Sequence, residues 1–236
     1  MSDHTVRQYD VELDGMRTRV LQMGGYVEQQ VVLALEGLLE GDLATVERVI
    51  ENDHRVNELE VELDEACAQI IARRQPTAKD LRSIMIVSKT VTDLERIGDE
   101  AKKIAKAVRR LLQNEPAGKP RVQLKHLGGL AVAQLRKSLD AMARLDIDAA
   151  AEVVKEDREL DAEFKSVMRQ LITYMMEDPR ILSRSIEILF AAKALERIGD
   201  HAKNVAEYTI YLVRGRDVRH IGVSEILKEV GYPEDN

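Results

Sequence analysis

Leu94-Glu95-Arg96-Ile97-Gly98-Asp99 recurs letter for letter as Leu195-Glu196-Arg197-Ile198-Gly199-Asp200, 101 residues further along the chain. Six identical letters at corresponding places mark an internal duplication. The identity runs on through Ala101 and Ala202, Lys102 and Lys203, and Ala105 and Ala206. Upstream the halves align at a spacing of 104, matching Gly24-Gly25 with Gly128-Gly129, Gly41-Asp42-Leu43 with Leu145-Asp146-Ile147, and Asp53 with Asp157. The three-residue change in spacing falls between Gln75 and Asp80, where a loop absorbs it.

Each half carries three helical stretches. The first runs from Val20 to about Leu39 and stops at Gly41-Asp42, a turn followed by a cap. The second runs from Leu43 to about Arg74, with Val46, Val49, Val56, Leu59, Leu63, Cys67 and Ile70 at helical spacing, and Gln75-Pro76-Thr77 breaks it. The third runs from Ser83 to about Leu112. Asn114 to Pro120 holds two of the five prolines and reads as a linker. The plan then repeats over Leu124 to Arg144, Ile147 to Met176 and Ile181 to Val213, with a break at Asp178-Pro179. Strand-like alternation is absent over any useful length. The expected fold is all-α: two tandem three-helix bundles over 1–115 and 116–214, followed by a mostly polar, irregular tail over 215–236.

The composition agrees with long helices and excludes several function classes. Of 236 residues, 44% are hydrophobic, enough for a core, and 33% are charged. Six Tyr, two Phe and no Trp leave little for stacking bases, and a net charge of −7 gives no general grip on nucleic acid, so direct nucleic-acid binding is not expected. One cysteine cannot form an internal disulfide, which suits a reducing compartment. The first ten residues lack the pattern of a signal peptide, and no apolar run is long enough to span a bilayer. The expectation is a soluble, cytoplasmic protein.

Searches for a nucleophile elbow, a phosphate-cradling glycine loop or a His-Glu-x-x-His pair find nothing. Cys67 lies on the apolar stripe of its helix and reads as an inert core thiol. Glu51 and His54 form a Glu-x-x-His match, but its counterpart is Lys155 to Arg158, so a ferritin-like di-iron site is disfavoured. His201 has Glu100 as its counterpart, which leaves a phosphoacceptor role as a third option.

The carboxylates carry more. Glu95 with Asp99, and Glu196 with Asp200, stand four residues apart on one side of a helix, a repulsive spacing unless something offsets it. By helical angle Asp99 points away from the apolar stripe and Glu95 lies on its flank, so both pairs are expected at the outer surface. Asp53 and Asp157 fall near the apolar stripe of the second helix in each half, with Asn57 and Asp161 four residues on. A carboxylate there needs a partner. Either it accepts hydrogen bonds or pairs with Arg96 and Arg197, with Lys102, Lys103 and Lys203 neutralising the rest, or oxygen ligands from neighbouring helices gather a hard cation. Gly98 and Gly199, costly inside a helix, suggest close approach of a backbone or a ligand.

At these residues the chain resembles the PhoU family, accessory proteins of the bacterial phosphate-specific transport system. The likeness rests on the doubled Leu-Glu-Arg-Ile-Gly-Asp, on Met23-Gly24-Gly25, on Arg73-Arg74-Gln75-Pro76-Thr77, on Met175-Met176-Glu177-Asp178 and on Asp217-Val218-Arg219-His220. The resemblance implies a negative regulator of the phosphate-starvation response, working with the phosphate ABC transporter and a sensor histidine kinase. It implies a homodimer without catalytic activity, held at the membrane through its partners. It also implies multinuclear iron, or another divalent metal, on Glu/Asp-x-x-x-Asp motifs. Carried over, these are Glu95 with Asp99, Glu196 with Asp200, Asp157 with Asp161, and Asp53 with Asn57, where the amide departs from the all-carboxylate pattern. The competing reading is a metal-dependent enzyme or iron-storage protein built on the same carboxylates.

Overall fold

The computed structural model describes residues 2–113, 124–219, 221–222, 225–226 and 231. The linker expected at 114–120 and His220 lie outside them, and so does the side chain of His4. Six helices follow in order: α1 (Ser2–Glu40), α2 (Leu43–Arg74), α3 (Ala78–Gln113), α4 (Lys125–Arg144), α5 (Ile147–Glu177) and α6 (Leu182–Arg214), with one 3-10 turn, Pro179–Ile181, before α6. No strand occurs among the described residues. The second helix of each half begins where the sequence places it, because Asp42 accepts from the Ala44 amide at 2.9 Å and Asp146 from those of Asp148 and Ala149. The largest difference is α1, which starts 18 residues before Val20.

Helices α1 to α3 form one three-helix bundle and α4 to α6 the other. The halves face each other through two antiparallel pairs, α1 with α4 and α3 with α6, leaving α2 and α5 on the flanks. Reciprocal contacts reveal the approximate two-fold relation. A Cβ built on Gly24 would stand 2.6 Å from Leu139 Cδ2, and one on Gly128 would stand 2.3 Å from Leu35 Cδ1. Gly24 and Gly128 correspond, as do Leu35 and Leu139, so each half supplies a leucine knob and a glycine hole. That reciprocity explains the repeated glycine, since a methyl at either position would displace the leucine that fills the hole.

One continuous core runs through both bundles, from Met16 and Val20 in α1 to Ala202 and Val205 in α6. Alanines 101, 105, 191, 192, 194 and 202 are fully or almost fully buried and let α3 and α6 approach closely. A smaller cluster joins Ala141, Val153, Val154 and Ile210 to Val218 and Ile226. The tail expected to be polar and irregular therefore buries two of its described apolar side chains. No helix is long and apolar enough to cross a membrane among the described residues.

Candidate functional site

The repeated carboxylates lie where the flanking helices meet the central pair. In the first half α2 supplies Asp53 and α3 supplies Glu95 and Asp99. Asp53 is buried, and its carboxylate accepts from Lys102 Nζ. In the second half Asp157 is also buried and accepts from Lys203 Nζ at 2.8 Å and Gln134 Nε2 at 3.1 Å. Of the partners expected for these carboxylates, the hydrogen-bond donors Lys102 and Lys203, one turn beyond each Gly-Asp, reach across to the flanking helix, and Arg96 and Arg197 do not pair with them among the described residues. Arg197 turns instead to Glu100 of the opposite half, at 3.3 Å.

The two glycines make this geometry possible. A Cβ on Gly98 would stand 3.1 Å from Val56 Cγ1, and one on Gly199 would stand 2.9 Å from the equivalent Leu160 Cδ1. The close approach that these glycines signalled is made by aliphatic side chains of α2 and α5. It draws the flanking helices close enough for lysine–aspartate pairing.

Glu95 and Asp99 are half-buried beside Asp53 and a carboxylate the sequence reading passed over, Glu60. Burial raises the Glu95 carboxyl above its ordinary range, and the charges of Asp99, Glu60 and Asp53 raise it further. Glu60 is raised by burial first, then by Asp64 and Asp99, while Arg96 opposes them. Its signal was available, since seven residues separate it from Asp53, two turns along one helix face. None of Glu60, Glu95 and Asp99 is in an ion pair among the described residues. Asn57 is exposed and makes no hydrogen bond there.

The second half spends its charge differently. Glu196 is 9% exposed, against the expected outer position, and Lys193 Nζ donates to it at 2.6 Å. Lys193 also sits 5.3 Å from the centre of the Phe164 ring. In the first half the counterparts of Lys193 and Phe164 are Thr92 and Glu60, so a cation and an aromatic ring replace a hydroxyl and an acid. Asp161 stands 4.0 Å from Lys165. Asp200 opens to solvent but is raised by partial burial, then by Glu196, Asp157 and Asp161, with Lys193 opposing. No three His, Cys, Asp or Glu side chains converge to hold a metal ion among the described residues.

Asp99 and Asp200 meet at one place. A cleft of about 420 Å³ opens between the central helices, lined by Arg96, Asp99, Glu100 and Lys103 of α3 and by Arg197, Asp200 and His201 of α6. Buried Glu100 accepts from Lys103 at 2.8 Å as well as from Arg197, while His201 Nδ1 donates to the buried Asp93 at 2.7 Å, and Asn204 Nδ2 donates to the same oxygen at 3.1 Å. Asp93 and Glu100 thus tie the halves together. Their counterparts, Ala194 and His201, broke the repeat and hid the link. Cys67 is buried, its thiol pushed up to about 11 by burial, in keeping with an inert core residue.

Comparison with known proteins places this arrangement. The family profile described as PhoU domain matches residues 20–108 and again 124–209. A Pseudomonas aeruginosa protein named phosphate-specific transport system accessory protein PhoU homolog is 46% identical over 98% of this chain and 95% of its own length. The Escherichia coli K12 protein named phosphate-specific transport system accessory protein PhoU is 44% identical over 97% of this chain and 94% of its own. Among solved structures, PhoU from Pseudomonas aeruginosa superposes with a TM-score of 0.85 at 46% identity, over 88% of this chain and 100% of that one. The phosphate transport system regulatory protein PhoU from Streptococcus pneumoniae superposes with a TM-score of 0.82 at 28% identity, over 89% and 99%.

Proposed function

The chain belongs to the PhoU family, and from that premise we propose that it is a negative regulator of the phosphate-starvation response and a modulator of phosphate uptake, working as a non-catalytic scaffold. Its partners in this reading are the cytoplasmic ATPase side of the phosphate ABC transporter and the phosphate-sensing histidine kinase. It works in the cytoplasm as a homodimer and meets the membrane through those partners. The observation that carries the reading is the extent of the likeness, 46% identity over 98% of the chain to a protein named as an accessory of phosphate-specific transport. The fold supports it: a shared core makes a stiff body, and the charged surfaces around the cleft are suited to docking. A scaffold of this kind lowers kinase output only by binding one kinase state more tightly than the other.

The test is complementation of a strain lacking its own copy, with a phosphate-starvation reporter read in high phosphate. Wild-type chain restores repression and co-purifies with the transporter ATPase or the kinase. Full repression without either partner bound, or bound partners with no repression, would sink the scaffold reading. Turnover abolished by Glu95→Gln/Asp99→Asn while partner binding survives would favour the enzyme instead.

One observation favours a second property, binding of iron or another divalent metal. Glu60, Glu95 and Asp99 stand close enough for Asp99 to raise both glutamates and have no ion-pair partner among the described residues, and such oxygen donors suit a hard cation. In the second half Glu196, Asp200, Asp157 and Asp161 offer the same chemistry, but Lys193 and Lys203 already neutralise two of them. Occupancy is therefore greater in the first half, despite Asn57. Elemental analysis of protein purified without chelators checks this: Glu95→Gln/Asp99→Asn loses most of the metal and Glu196→Gln/Asp200→Asn little. Equal losses would contradict the asymmetry.

A further inference from the structure

Away from the carboxylates, at one end of the molecule, a cavity of about 410 Å³ lies between α1, α3 and the C-terminal ends of α4 and α6. Its walls are apolar, with Leu21, Ile86, Met142, Leu145, Leu212 and Val213 among them, and its polar side chains are Arg17, Lys79 and Ser83. No carboxylate lines it among the described residues. Neither Arg17 nor Lys79 is in an ion pair among the described residues. In a chain of net charge −7, two cations that pair with no described carboxylate, beside an apolar hollow, stand out.

The duplication supplies an internal comparison. By the spacing of 101, Ser83, Ile86 and Leu212 correspond to Arg184, Glu187 and Leu111 at the opposite end. There the ends are tied shut: Arg110 Nη1 donates to Glu187 at 2.8 Å, and Arg184 Nη1 donates to the Leu111 carbonyl at 3.2 Å. At the open end Ile86 replaces the acid and Ser83 the arginine, so neither tie can form. The two ends thus differ: one is closed by charge, and the other is an apolar hollow bordered by Arg17 and Lys79.

We propose that this cavity binds a small amphipathic anion, an aliphatic chain ending in a carboxylate, with the chain among Leu21, Ile86, Met142 and Leu212 and the head between Arg17 and Lys79. The size falls within the range of small-molecule sites, which pair apolar walls with a few placed polar groups. Charge complementarity selects the anion.

The full chain is titrated calorimetrically with sodium decanoate and, separately, with the neutral decan-1-ol, both below micelle-forming concentrations. Decanoate binds saturably at one per chain and decanol about tenfold more weakly. Arg17→Gln/Lys79→Gln weakens decanoate about tenfold and leaves decanol unchanged. Val213→Trp, at a position 45% exposed and so tolerant of bulk, weakens both ligands by filling the hollow. Circular dichroism confirms that each variant is folded. The proposal fails if decanoate does not saturate, or if folded Arg17→Gln/Lys79→Gln binds it as the parent does. It fails also if the chain sediments with phosphatidylglycerol vesicles while ignoring free decanoate, which would make the cations a membrane-facing patch.

Discussion

Replacing Lys102 by methionine keeps most of the unbranched side chain and removes the cation bonded to Asp53 among the described residues. The Asp53 carboxylate is only 5% exposed, and Lys102 Nζ is its hydrogen-bond partner among the described residues. Stripping one member from a buried pair strands a charge, at a cost of about 3–5 kcal/mol. The lysine side chain is 26% exposed, which lets some water in and favours the lower figure, about 3 kcal/mol. For a chain of this size that lowers the melting temperature by about 6–12 °C. Lys203→Met costs less, about 2 kcal/mol, because Gln134 still donates to Asp157 at 3.1 Å. Adding Asp53→Asn to Lys102→Met recovers most of the loss, since no charge is left stranded.

The pH dependence has a definite sign. The hydrogen bond to Asp53 leads in raising the Lys102 ammonium above its ordinary value. Its contribution is therefore complete below about pH 10.4, the unfolded value, and fades only as the pH climbs through the raised folded value. Urea denaturation of parent, both single variants and the double variant, at pH 8 and about pH 11, measures each term. A Lys102→Met deficit below about 0.5 kcal/mol at pH 8, the size of an ordinary surface change, would refute the reasoning. So would a Lys203→Met deficit larger than that of Lys102→Met.

Two further predictions concern stability. Glu207 is 5% exposed and its carboxyl is pushed up to about 7, by burial first, then by Asp157 and Asp217 against the opposing charges of Lys203 and Arg219. Its contribution is present below the ordinary glutamate value and is lost as pH rises through about 7. Stability thus falls by up to about 3 kcal/mol between pH 4.5 and 7.5, and Glu207→Gln removes that slope from urea midpoints taken across the range. The adjacent glycines of α1 respond in opposite directions. Gly25→Ala, with open space at its Cβ, stabilises by about 0.5–1 kcal/mol through helix propensity. Gly24→Ala drives a methyl into Leu139 and destabilises by about 1–2 kcal/mol net of that gain. Thermal melts separate them, and two stabilising substitutions would contradict the knob-and-hole packing of α1 against α4.

Much of this was legible because helices write their buried faces into sequence. The stripe Val46, Val49, Val56, Leu63, Cys67, Ile70 is the buried face of α2, and the caps Asp42 and Asp146 mark where α2 and α5 begin. The α1 extension before Val20 was missed because its exposed and half-buried polar residues interrupt the stripe. Glu196 was misplaced at the surface because its helix is covered by three others, α3, α4 and α5. A single stripe describes only one.

The sequence by itself determined that there are two copies of a three-helix unit, where each helix turns, and which carboxylates repeat. Local rules suffice for these, because a helix, its cap and its apolar period all lie within a few consecutive residues. Only the tertiary structure decided how the copies face each other and which charges meet. An apolar stripe says that something must cover it, and many helices could. A lysine on a four-carbon stem can reach along its own helix or across to another. Lys102 lies one turn from Asp99 on α3 yet pairs with Asp53 on α2, and that choice leaves Asp99, Glu95 and Glu60 without an ion pair among the described residues. Lys193, set beside Phe164 in the second half, removes the same surplus there. The two acidic sites, alike in sequence, thus became unlike through contacts between helices, where distance and burial outrank spacing along the chain.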